Sequence, residues 1–302
     1  MVNQRTVQVT KVLLLALSVI CVYWRAFVGL WQSWMASGSY YSHGFLVPLV
    51  SGYFVWSRRK RLRETTPSSS KTGLLLLVCA LLFALAGTYF QVETVTNFSL
   101  PVTLFGLIFY LFGWNIGREL VFPIAFLFFM IPLPHSVITA LTFRLKLLVT
   151  DASILTLNAI GTTSVREGAT VHMTKSFLVV GDVCSGLRSS IALLTLGIVY
   201  THFIKSSLIK KLVLLAFCVP IALAANMLRV VVLCLVAESY GSQAATGGLF
   251  HDLTGMLVFV FALTGLIIAG KVLERTQITR VLRMERGHRK SSCSEFEESV
   301  KL

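Results

Sequence analysis

The stretch Leu212–Ala237, LVLLAFCVPIALAANMLRVVVLCLVA, decides what kind of protein this is. It exceeds the roughly 20 apolar residues that cross a bilayer as a helix, and its one charge is Arg229. A helix covering a soluble core would interleave a polar stripe with the apolar one. No such stripe exists here, so the run reads as a transmembrane helix. An arginine inside it is costly in hydrocarbon and implies a partner or a task.

Working outward, seven further apolar runs accompany it: Lys11–Trp34, Gly44–Trp56, Gly73–Phe90, Phe98–Trp114, Leu120–Leu133, Ser185–Ile204 and Leu253–Gly270. The second and fifth are short. The first continues past Arg25 to Trp34 without a small-residue cleavage site, so it reads as a retained helix and not a cleaved signal peptide. Composition agrees: 55% of the 302 residues are hydrophobic, 13% are charged and the mean hydropathy is +0.78, against about 25% charged in an average soluble domain. Too few polar side chains exist to coat a water-facing surface. That excludes a soluble enzyme, a disordered chain and a disulfide-stapled secreted module. The six cysteines contain no CxxC pair, and Cys21, Cys79, Cys218 and Cys234 lie in apolar runs as ordinary thiols.

The 27 Lys and Arg against 13 Asp and Glu give a formal charge of +14, and their positions carry a topology. Threading eight spans from a cytoplasmic N-terminus puts 20 of the 27 cations in inner segments, including Arg58–Arg63 and the tail, as the positive-inside rule requires. The excess is therefore read as loop charge, and no nucleic acid is expected as a partner. The expectation is an all-α polytopic protein of the cytoplasmic (inner) membrane with both termini cytoplasmic, its surroundings being the lipid bilayer. Residues 1–275 read as one transmembrane domain and 276–302 as a basic, partly disordered cytoplasmic tail, with Thr65–Ser70 a low-complexity linker.

Between Leu133 and Cys184 lies an outer segment. Ser136–Ile160 has apolar residues at helical spacing mixed with Arg144, Lys146 and Asp151, the pattern of a helix lying along the interface. The stretches Ser164–Met173 and Lys175–Val180 are rich in β-branched residues and read as two short strands, a small hairpin leading into Cys184. The expected fold is a bundle of about eight transmembrane helices with an outer-face interfacial helix and a short β-hairpin.

Three residues with chemistry fall at one depth near the outer face. Cys184 opens the sixth span, Arg229 lies in the outer half of the seventh and His251 begins the eighth. A thiolate can attack a carbonyl, an imidazole can move protons, and a guanidinium can hold an oxyanion or a carboxylate. A helix N-terminus would lower the Cys184 pKa, and Arg188, four residues on, would share its face. Taken singly, Cys184 is also an unremarkable small apolar side chain, His251 a helix cap, and either arginine a snorkelling cation; their common depth favours a site. Asn226, three residues before Arg229, could fix the guanidinium by hydrogen bonding. Asp252 adjoins His251 but points about 100° away on a helix. His43 reads as a supporting residue or an interfacial anchor. His135 and His172 lack partners at metal-ligand spacing, so neither metal nor cofactor is expected.

The blocks Gly181-Asp-Val-Cys-Ser-Gly-Leu-Arg-Ser-Ser, Ala225-Asn-Met-Leu-Arg229 and Phe250-His-Asp-Leu-Thr-Gly255 resemble the signature blocks of the exosortases and archaeosortases. Tyr41-Ser-His-Gly-Phe-Leu-Val-Pro48, Ile131-Pro-Leu-Pro134 and Val165-Arg-Glu-Gly168 resemble further family motifs. The resemblance implies a membrane-embedded cysteine transpeptidase or protease that recognises C-terminal sorting signals of the PEP-CTERM type on exported proteins. Cys184 would be its nucleophile, with Arg229 and His251 catalytic and Arg188, Asn226 and His43 supporting. Val183 stands where the family commonly has a small residue, and the short basic tail is expected to take the place of the additional C-terminal domain fused to some exosortases. The alternative from the residues is a transporter or polysaccharide-export component lined by Arg25, Arg188 and Arg229; a structural scaffold is a third. A transporter gives no reason for a cysteine at 184.

Overall fold

The computed structural model describes residues 14–15, 17–204, 206–247 and 253–274. They are mostly helical, with one small sheet, and form two compact units, Met1–Ile138 and Thr139–Leu302.

The first unit holds α1 (Trp24–Met35), α2 (Leu46–Ser57), α3 (Arg59–Glu64), α4 (Lys71–Tyr89) and α5 (Glu93–Phe126), followed by a 3-10 turn at Leu127–Met130. Helices α4 and α5 lie close enough that a Cβ on Gly73 would fall 2.3 Å from the Tyr110 nitrogen, and one on Gly106 2.8 Å from the Leu77 nitrogen. Small residues permit this approach, and close packing drives association where lipid is as apolar as the side chains. Tyr23, fully buried just before α1, shares hydrogen bonds with Ser99 at 2.8 Å and Thr103 at 2.7 Å on α5.

Helix α5 is broken at Gly113, where φ is 77° and ψ is −177°. Beyond it the chain doubles back, because a Cβ on Gly117 would lie 3.7 Å from the Phe105 ring. Along a straight helix those residues would be about 18 Å apart. Ile116, Leu120 and Ile124 of the returning arm pack against Phe105, Ile108 and Phe112. The expected fourth and fifth spans are thus two arms of one assigned helix.

The Thr65–Ser70 segment is more than a linker. Its Ser68 and Ser70 N–H groups donate to the carbonyls of Phe112 (3.1 Å) and Tyr110 (3.3 Å), which end a helical arm and need outside donors. Arg58 donates to the Glu119 carbonyl on the returning arm, and its guanidinium lies 3.7 Å from the Glu119 carboxylate. A Cβ at position 113 would sit 2.0 Å from the Ser68 carbonyl oxygen. Gly113→Ala should therefore lower stability by more than the roughly 1–2 kcal/mol that a left-handed L-residue costs. An unchanged unfolding temperature in detergent would contradict the reversal.

Four helices are long and apolar enough to cross a membrane: Lys71–Tyr89, Glu93–Met130, Leu208–Tyr240 and Leu253–Glu274. Leu46–Ser57 and Leu187–Phe203 are apolar but shorter. The expected eight spans are met in that part only: Gly44–Trp56 and Ser185–Ile204 appear as the two shorter helices, Phe98–Trp114 and most of Leu120–Leu133 as the arms of one helix, and the start of Lys11–Trp34 lies outside the described residues.

The chain passes into the second unit within α6 (His135–Ala159), and that unit runs on through β1 (Ser164–Glu167), β2 (Thr170–Met173), β3 (Phe177–Val179) and a 3-10 turn at Asp182–Cys184. It continues through α7 (Leu187–Phe203), α8 (Leu208–Tyr240) and α9 (Ser242–Thr246) to α10 (Leu253–Glu274). The expected hairpin is instead a three-stranded antiparallel sheet in the order β1-β2-β3. Gly168 turns the chain between Glu167 and its partner Thr170, so Ser164–Met173 supplies two strands and not one.

The sheet is tied on both sides. Asn158 near the end of α6 accepts from the Ser164 N–H at 2.8 Å, and Asp151 pairs with Arg166 at 2.6 Å. Glu238 on α8 accepts from the Lys175 N–H (3.0 Å) and the Ser176 hydroxyl (3.1 Å). One face sends Val171 and Leu178 into a core shared with Val149 and Leu157 of α6, and with Val230, Val231 and Cys234 of α8. Full burial of each such side chain contributes roughly 1.5–3 kcal/mol, which holds the strands against the helices.

Candidate active site

The core beneath the sheet includes Cys184, 7% exposed. Strand β3 ends at Val179, Val180 is buried, and the 3-10 turn then presents the thiol. Its carbonyl accepts a hydrogen bond from the Asn226 side-chain amide of α8 at 2.6 Å. Lys146 of α6 pairs with Asp182 at 2.8 Å and ties the same turn from outside.

Two expectations change here. Cys184 does not open α7, because Gly186, with φ at 81°, interrupts the backbone and α7 begins at Leu187. Arg188 therefore does not stand one helical turn after Cys184 on a shared face; it is half-buried in the first turn of a separate helix. The Asn226 side-chain N–H donates to the Cys184 carbonyl, a bond that the sequence did not suggest. A Cβ on Gly186 would sit 3.2 Å from Asn226 Cβ and Nδ2. Gly186→Ala should displace the cysteine turn through both the backbone sign and that contact. A normal Cys184 alkylation rate with normal stability would count against this packing.

Arg229 is 7% exposed, and its Nε donates to the Thr254 hydroxyl at 3.4 Å. A Cβ on Gly255 would stand 3.4 Å from one terminal guanidinium nitrogen, so the first turn of α10 lies flush against the arginine. Further down, Gly197 of α7 meets Cys218 of α8, and Lys210 of α8 donates to the Leu273 carbonyl of α10 at 2.7 Å. These contacts run α7 and α10 antiparallel to α8. They bring the Cys184 turn, Arg229 and the start of α10 to one level. His251 and Asp252 lie outside the described residues.

Burial pushes the Cys184 thiol above its ordinary pKa, and the Arg229 charge opposes that shift. The turn ends two residues before the Gly186 N-cap of α7 and not in the helix's first turn. His43 lies in the first unit, stacked on Tyr41 with ring centroids 6.0 Å apart, and burial holds its pKa below the usual histidine value. There the Tyr41 hydroxyl accepts from the Leu133 N–H at 3.1 Å, so two of the motifs quoted above, Tyr41–Pro48 and Ile131–Pro134, meet each other. Sequence reasoning missed the Lys146–Asp182 tie.

The family model described as transmembrane exosortase matches residues 31–268. The chain belongs to the transmembrane exosortase family. That stretch contains both units' motifs and the Cys184 and Arg229 level of the second unit. Family membership makes this a membrane protein of a transpeptidase family acting on exported proteins with sorting signals. No curated protein and no solved structure matches the chain.

Proposed function

We propose that this chain is a cysteine transpeptidase or protease of the cytoplasmic membrane that cleaves PEP-CTERM-type C-terminal sorting signals at the outer face. The observation that carries the reading is a buried thiol on a turn pinned to the helix that carries a buried arginine, within the span matched by the exosortase family. Cys184 attacks the carbonyl carbon of the scissile peptide bond. The developing oxyanion is held by Arg229. His251 takes the thiol proton and delivers it to the leaving amine, which departs with the signal's C-terminal helix. The substrate's N-terminal part stays on sulfur as a thioester until water or an amine displaces it.

The direct test is a reporter protein ending in a Pro-Glu-Pro motif, one apolar span and a basic cluster, expressed with this chain. Its tail should be removed in membranes containing the wild type. A reporter of unchanged size would sink the substrate assignment and favour a transporter or scaffold.

Orientation is tested separately by single cysteines. A cysteine at Thr66 should resist an impermeant thiol reagent in intact cells, and one at Gly168 should react. The reverse pattern would invert the proposed topology.

The raised Cys184 pKa sets a pH dependence. Thiolate forms only as pH climbs toward that raised value, so the acylation rate of purified protein should rise with pH on the alkaline side. Arg229→Gln removes the opposing charge and should move the rise to higher pH. A pH-independent rate would mean that thiol ionisation does not limit acylation.

A further inference from the structure

The carbonyl of Cys184 stands outside every helical ladder. The backbone turns left-handed at Gly186, and the first α-helical acceptor of α7 is Gly186 itself, which takes the Ser190 N–H at 2.9 Å. A buried carbonyl in that place needs an outside donor, since leaving it bare costs about 1–3 kcal/mol. The donor is the Asn226 amide at 2.6 Å, on a residue only 2% exposed. Asn226 also fills the space beside Gly186, at 3.2 Å from where a Cβ would lie. Arg229 follows three residues later and so shares that side of α8.

We propose that Asn226 is a positioning residue, holding the Cys184 turn on α8 so that the thiol stays beside Arg229; this rests on the thiol reading above. Asparagine suits the task because its amide is short, carries a donor, and adds no charge where one would perturb the thiol. The spacing from Asn226 to Arg229 then acts as a ruler. One residue fixes the backbone of the nucleophile and the other, one turn on, supplies the charge beside its sulfur. Among the described residues, the other charged groups at the turn are Asp182, paired with Lys146 at 2.8 Å, and Arg188 at the start of α7.

The test reads the thiol itself and needs no substrate. Full-length protein in nanodiscs is alkylated with iodoacetamide across a pH series, and Cys184 modification is followed by peptide mass spectrometry. Asn226→Ala frees the turn, so the midpoint of alkylation should rise as Arg229 loses its hold on the thiol. A rise of half a pH unit leaves about threefold less thiolate at neutral pH. Arg229→Gln should raise the midpoint in the wild-type background and add clearly less in the Asn226→Ala background.

Asn226→Leu keeps the side-chain size and removes only the amide, and it should behave as Asn226→Ala does. An unmoved midpoint, or a full Arg229→Gln effect in either background, overturns the assignment even where processing falls. Failure of both variants to accumulate as folded protein also overturns it, because the bond would then be serving the fold. Normal reporter processing by Cys184→Ser would instead sink the transpeptidase reading while leaving the alkylation midpoints to judge Asn226.

Discussion

Cys184→Ser should abolish processing of a sorted reporter, by about 10³-fold or more as for loss of a nucleophile in other covalent enzymes, while the protein persists at wild-type level. Serine nearly matches cysteine in size, so the core around position 184, built from Val180, Val230 and Val231, loses little packing. An alkoxide is far harder to form than a thiolate, and it would have to form in a buried turn where desolvation already opposes the thiolate. The assay is the reporter's size on a gel beside the abundance of the variant in membranes. Full processing at normal abundance would reject the cysteine mechanism. Parallel loss of processing and protein would make Cys184 a packing residue, and Cys184→Ala then separates the two by its abundance alone.

Arg229→Lys should be nearly as damaging as Arg229→Ala, each lowering processing by about 10²–10³-fold, the scale of losing one oxyanion donor. The guanidinium is a planar fork of five donors, whereas an ammonium is a compact charge on a flexible stem. Arg229 donates to Thr254, and its Cζ and terminal nitrogens all lie within 3.4–3.9 Å of where a Gly255 Cβ would stand, a close approach suited to a flat group. Lysine would keep the charge but not the shape. Substantial recovery with lysine would mean that Arg229 supplies charge alone, and the oxyanion role would move to another donor near the turn.

The same residue shows how far the sequence could be read. One arginine in the apolar run 212–237 marked a candidate site within a membrane helix, because hydrocarbon tolerates an unpartnered charge so poorly. Helical length and apolarity likewise marked the runs that became α4, α8 and α10. The end of α2 was legible in the cations that follow Ser57, but full-length spans were overcounted, since nothing in the local composition said that α7 starts only at Leu187 or that one assigned helix carries two of the runs. Ser164–Val180 showed strand character through its β-branched residues, but the split at Gly168 into a third strand follows from pairing between strands.

What the sequence by itself determined is the solvent this chain prefers and its helical character, and it named the candidate site residues, because these follow from side-chain type and spacing along the chain. The tertiary structure alone decided that Gly113 reverses α5, that Ser68 and Ser70 close its open carbonyls, and that Gly186 detaches Cys184 from α7. It also decided that Asn226 grips the Cys184 carbonyl, 42 residues away in sequence, and that burial raises the thiol pKa. Each depends on which backbone groups are left without local partners and on which distant side chain arrives to satisfy them, a matter of spatial approach that residue order does not encode locally.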